Sequence, residues 1–219
     1  MQNTLFSPVS RRCVLTGGAA VLLLGDGDPL PVPPSNRLLF EVVRHGGVMG
    51  THRLDFVRSQ QGLVVTVNVQ MALSFGPFRL FHYAHHAVER WQSNQCVSLE
   101  AQTDHNGAPF RVVAVRDAGG WSVQGSKGNL RAPPNTLPAT HWNRAMLSGP
   151  MINTETGSVM RPKIADLGQD HVPNSQNMAE HFVMTGDAQM DTWYDAVPSW
   201  AGARFVGGDG SQIEYQRAG

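Results

Sequence analysis

The sequence predicts a mainly all-β protein: a curved antiparallel sheet, either an open β-barrel or a sandwich, with one or two short helices. Short apolar runs alternate inward and outward with period two, as half-buried strands do. Turn signals recur along the chain at the short spacing expected of hairpin-linked strands. Glycine (23) and proline (14) are abundant among the 219 residues, which favours many turns over long helices.

The elements follow in order. Residues 31–37 form a Pro-rich spacer, and 38–219 read as a single β-rich domain. Turn signals fall at "HGG" (45–47), "SQQG" (59–62), "SFGP" (74–77) and "SNQ" (93–95), then at "DHNG" (104–107), "DAGG" (117–120) and "GGDGS" (207–211). In "LVVTVNVQMAL", Val65, Val67, Val69 and Met71 share one face while Thr66, Asn68 and Gln70 share the other. "FRVVAVRD" and "SQIEYQR" alternate in the same way, and Asn106-Gly107 is the strongest hairpin signal. Between 131 and 180, Thr140 is the expected N-cap of a short helix over 141–147. A hairpin is expected around "TETG" within 152–164, and "GQDHVPNSQN" reads as an exposed loop.

Residues 1–30 read as a twin-arginine export signal: Arg11 and Arg12 precede a moderately apolar run from Val14 to Gly25. That run is about half of the ~20 residues a membrane span requires, and no cysteine follows it to accept a lipid. The expected location is therefore the periplasm. Formal net charge is zero, with 15 Arg and 2 Lys and no basic cluster beyond Arg11-Arg12, so a nucleic-acid footprint is missing. Cys96 is alone after the leader, which removes disulfide, Cys-zinc and thiol-redox motifs.

The segment "FHYAHHAVERW" (81–91) carries the most chemistry. As a helix it would place His82, His85, His86 and Glu89 on one face, a plausible ligand set. Its aromatic and β-branched content, the preceding Gly76-Pro77 and the following "SNQ" assign it to a strand instead. Four residues along a strand span on the order of 13 Å, too far for one ion to join His82 with His86 or His85 with Glu89. No metal is expected locally, although His85 and His52 could meet across the sheet. The face bearing Tyr83, His85, Glu89 and Trp91 is read as part of a ligand-binding surface, joined by Trp193, Tyr194 and Asp195 of "DTWYD". Glu89 needs partners if buried, with His52, Arg53, Arg111 or aromatic N–H and O–H groups as candidates. There is no P-loop, no dinucleotide fingerprint and no nucleophile elbow, and no cofactor is expected.

Order and spacing from Leu39 to Tyr215 resemble an exported, mostly proteobacterial family of unknown function with a LolA-like open-barrel look. The residues that carry the resemblance are "GTH" (50–52), "YAHHAVERW" (83–91), "SLEAQTDHNG" (98–107), "HWN" (141–143), "TG" (185–186), "DTWYD" (191–195) and "DGSQIEY" (209–215). The chain departs from the usual pattern at "AVPSW" (196–200), where a polar turn would be expected. The resemblance implies a curved antiparallel sheet and periplasmic export, and it implies no reaction. The LolA-like look suggests a cavity for a lipid or other apolar small molecule. Three functions remain: a non-enzymatic binding domain for an apolar or amphiphilic ligand or envelope partner, a hydrolase using His52, His85 and Glu89, and a structural envelope protein. The sequence assigns no oligomeric state.

Overall fold

The computed structural model describes residues 30–126, 128–196 and 199–218, so the expected leader lies outside the described residues, as do two positions of "AVPSW". Among the described residues sixteen strands occur: β1 (Arg37–Arg44), β2 (Gly47–Ser59), β3 (Gly62–Phe75), β4 (Phe78–Gln92), β5 (Gln95–His105), β6 (Ala108–Asp117), β7 (Gly120–Gly125), β8 (Gly128–Ala132), β9 (Leu137–Pro138), β10 (Met151–Ile152), β11 (Val159–Met160), β12 (Lys163–His171), β13 (Met178–Thr185), β14 (Met190–Tyr194), β15 (Trp200–Val206) and β16 (Gln212–Arg217). Thirteen of them form one antiparallel sheet in the order β12-β13-β14-β15-β16-β1-β2-β3-β4-β5-β6-β7-β8, which curls into a barrel and stays open between β8 and β12. This is the mainly all-β, curved antiparallel architecture the alternation predicts.

Each turn signal quoted above joins two strands. Three of them are two-residue hairpins with both φ angles positive: His45-Gly46 (51° and 75°), Ser93-Asn94 (46° and 59°) and Asn106-Gly107 (54° and 84°). That conformation matches the right-handed twist of the flanking strands, and Asn, His and Gly tolerate it. Register shifts at Val42/Val43, Leu73/Ser74 and Arg90/Trp91 mark bulges, each of which bends its strand and helps the sheet curl.

Because the side-chain period is two, the register stacks inward residues into rows. One row runs Leu38, Leu54, Val67, Ala87, Ala101, Val112, and the next runs Phe56, Val65, Glu89, Leu99, Ala114, Val123. Ala87, Ala101 and Ala114 are small and buried, which leaves the middle of the barrel wide. The segment 133–162, linking the two sheet edges, runs through that space and puts Trp142 and Ile152 into the same core. Its strands β9, β10 and β11 form a small separate sheet.

The structure corrects three sequence expectations. The short helix is a single 3-10 turn, Arg144–Ser148, capped by Asn143, whose side chain accepts from the Ala145 N–H at 3.0 Å. Thr140 cannot cap it, because its hydroxyl is committed to Glu89. "GQDHVPNSQN" is not all loop: its first part belongs to β12, an edge strand exposed along most of its length, so alternation is absent there. The Pro-rich stretch is also more than a spacer, since Leu30 and Val32 pack on the main core and Pro33 is buried.

Candidate functional site

The barrel has two unlike ends. Near the β4–β5 turn, Trp91 and Trp142 pack edge to face (ring centroids 5.2 Å apart), as do Phe56 and Trp142 (5.3 Å). Trp121 helps to close this end: its indole donates to the Thr136 carbonyl at 2.9 Å, and the Arg116 guanidinium lies over its ring. Arg116 also donates to the carbonyls of Cys96, Pro134 and Thr136, tying down the start of the crossing segment.

The other end opens where the His45-Gly46, Asn106-Gly107 and 207–210 turns gather, over a cavity of about 720 Å³. That volume falls within the ~300–1,000 Å³ typical of small-molecule sites. Its walls are largely apolar, with Val67, Val69, Met71, Phe81, Phe205 and Ile213 contributing from β3, β4, β15 and β16. Arg44 lies on the lining, engaged by Asp209 and donating to the Ser211 hydroxyl at 2.8 Å. A second hollow, of about 950 Å³, lies toward the closed end. Its lining holds the Arg144–Glu180 ion pair together with Arg116, Ser93 and Asn94, a surface better suited to water than to an apolar ligand.

Four histidines line the apolar cavity: His52, His85, His105 and His141. His85 is buried, with Nδ1 2.8 Å from the Thr103 hydroxyl and Nε2 3.3 Å from that of Thr154, and burial pulls its pKa down to about 4. His105 pairs Nδ1 with Glu155 at 3.1 Å and meets the Tyr83 ring edge to face. Burial, then the Glu155 charge, pushes the Tyr83 hydroxyl above its ordinary pKa. His52 is 5% exposed, among Phe40, Trp200 and Tyr215, and neither of its ring nitrogens has a hydrogen-bond partner. His141 stacks on Trp200 with centroids 5.2 Å apart, and its buried Nδ1 is also unpartnered. Burial holds His52 well below its usual pKa and brings His141 to about 4, so both imidazoles are neutral near neutral pH.

The residues singled out by sequence separate into three places. Tyr83, His85 and His52 reach the cavity. The register puts Val69 between His52 and His85, so their backbones lie about 10 Å apart across the sheet. Glu89 and Tyr194 lie in the sealed interior, where Glu89 is 0% exposed, and Trp91 is buried beside Glu89 on the lining of the second hollow. The Glu89 carboxylate accepts from the indoles of Trp91 (2.7 Å) and Trp142 (3.0 Å) and from the Thr140 hydroxyl. Of the partners weighed for it, the indoles are present; Arg53 instead pairs with Asp55, and Arg111 faces outward. Burial raises the Glu89 pKa against the opposing pull of these donors.

Trp193 belongs to a small separate core with Val172, Ala179 and Ala201, stacked on His181. Asp195 shapes the β14–β15 connection, accepting from the Ser199 N–H at 3.0 Å and pairing with Arg217. His52, His85 and Glu89 therefore do not converge on one cleft. Among the described residues, no group of three His, Cys, Asp or Glu side chains has the arrangement to hold a metal ion.

Sequence reasoning passed over the cavity roles of His105, His141, Thr154 and Tyr215. Each reaches the cavity through long-range pairing or through the crossing segment, and neither leaves a local signal.

The geometry defines an open, barrel-like β-domain with an apolar cavity at one end. Residues 40–218 match the family DUF6134, a domain of unknown function, and the chain belongs to that family. Among solved structures it is similar to a beta-barrel-like protein of domain of unknown function DUF1849 from Brucella abortus. That similarity has a TM-score of 0.58 at 10% sequence identity and covers 83% of this chain and 94% of the other, which supports the shared fold alone. No curated protein matches the chain.

Proposed function

We propose that this protein is a non-enzymatic periplasmic binding domain whose open-ended cavity takes an apolar or amphiphilic small molecule. The observation that carries the reading is the cavity of about 720 Å³, walled by Val, Met, Phe and Ile side chains and reached from one end of the barrel. Apolar surface of that extent, left to water, would weaken the fold, and a ligand's hydrocarbon offsets that loss. The hydrolase alternative is less well supported: Glu89 is internally hydrogen-bonded and faces no cavity, and His85 is held between two threonine hydroxyls.

The test is native mass spectrometry of the protein purified gently from cells, followed by denaturing extraction. The expected result is a co-purifying lipid-like mass near unit stoichiometry, lost in Met71→Trp, which fills the cavity while leaving the sealed interior intact. Wild-type protein that is clean and also refuses added apolar probes would sink the proposal. Export is tested separately, by fractionating cells that carry Arg11→Lys with Arg12→Lys. Periplasmic accumulation should be lost, and unchanged accumulation would remove the twin-arginine assignment.

A further inference from the structure

Resting on that cavity reading, we infer that the His52–His141 end of the cavity is a head-group subsite for an uncharged amphiphile. Its polar end is a hydroxyl or carbonyl rather than a carboxylate or phosphate. Three buried nitrogens without partners, both of His52 and Nδ1 of His141, belong to residues that line this one cavity. Buried polar groups in folded proteins are nearly always satisfied; these three nitrogens are closed to solvent, and a head group at this end of the cavity would supply their partner once the rings shift toward it. His141 is held there with a backbone φ of 68°, a left-handed conformation that costs a non-glycine residue energy, and with its ring stacked on Trp200 at an interplanar angle of 26°. His52 is fenced by aromatic rings on β1, β15 and β16, and none of them gives its nitrogens a hydrogen-bond partner.

The chemistry of the subsite follows from charge. A neutral imidazole presents a donor on one edge of its ring and an acceptor on the other, so a hydroxyl can pair with whichever nitrogen faces it, and a carbonyl with the protonated one. Arg44 is the sole arginine or lysine among the described lining residues, and Asp209 and Ser211 already engage it. An anionic head beside His52 would be buried without a counter-charge, with Asp209 repelling it on entry. A carbonyl or hydroxyl head meets neither cost, and its chain then lies along Val69, Met71, Met49 and Phe205.

The experiment measures displacement of N-phenyl-1-naphthylamine, a neutral apolar fluorophore, by 1-dodecanol, dodecanoate and dodecane at pH 7.5. Dodecanol should displace the probe at roughly one-tenth the concentration needed for either of the others, the value of one well-made buried hydrogen bond. In His52→Phe the dodecanol-to-dodecane ratio should collapse toward one. His141→Asn, which tolerates the left-handed backbone, gives the same readout should the first variant fail to fold. Equal displacement by dodecanoate and dodecanol, or a ratio unchanged in both variants, would overturn the inference. Absence of any saturable probe binding would remove the cavity reading as well, so the two failures are distinguishable.

Discussion

Glu89 is the sharpest place to perturb this molecule. Its carboxylate joins the sheet to the crossing segment, collecting two indole N–H groups and one hydroxyl in a row otherwise made of Phe56, Val65, Leu99, Ala114 and Val123. Glu89→Ala would leave those donors unsatisfied in an apolar interior and open a cavity, a loss of about 4 kcal/mol. Glu89→Gln keeps the volume and one acceptor oxygen but turns an amide N–H₂ toward a donor, costing roughly 2 kcal/mol.

The pH dependence has a definite sign. Because burial raises the Glu89 pKa in the folded state, its contribution is present below the ordinary carboxylate pKa and is lost as pH rises through the raised value. The Glu89→Gln penalty should therefore shrink as pH rises above the ordinary carboxylate range and wild type gives up that advantage. Urea unfolding followed by tryptophan fluorescence measures all of this, provided the m-value stays constant. In a double-mutant cycle, Thr140→Val should cost less in the Glu89→Ala background than alone, since its donor is already orphaned there. A Glu89→Ala cost below about 1 kcal/mol, or a strictly additive cycle, would refute the bracing role.

Further outcomes are expected elsewhere. His52, His85 and His141 are neutral in the fold, with His85 and His141 near 4, so their stabilising contribution is complete above the unfolded histidine pKa of about 6.5. It is lost as pH falls toward 4, and chemical denaturation should show stability dropping by up to about 4 kcal/mol per pH unit where all three titrate together. A flat profile from pH 7 to 4.5 would contradict their burial. Trp142→Ala, which removes the fully buried plug between Phe56 and Trp91, should cost about 4 kcal/mol in the same unfolding assay. Gly50→Ala would set its Cβ 2.0 Å from the Gln70 carbonyl oxygen, forcing β2 and β3 apart, and should cost about 3 kcal/mol by thermal melting. Gly46→Ala meets no atom within 4 Å and carries only its positive-φ strain, so about 1 kcal/mol is expected.

Much of the architecture is legible in the sequence because its causes are local. Period-two alternation in 63–71 places Leu63, Val65, Val67 and Val69 inside, and the seven turn signals fall between strands because Gly, Asn, Asp and Ser supply the needed φ angles and side-chain bonds. The strand at 81–91 was decidable for the same reason, and with it the division of His82 and His86 from His85 and Glu89. Only the tertiary structure decides what those inward groups do. Glu89 and His85 lie on one face of one strand, yet one is sealed under the crossing segment while the other meets the cavity. Their difference is set by Thr140, Trp142 and Thr154, which sit 51, 53 and 69 positions away along the chain. Likewise Trp193 and Tyr194 are adjacent, but strand pleating sends them to different cores. Local preference writes the strands and their turns; the path of residues 133–162 through the barrel sets where the interior closes and where a cavity is left.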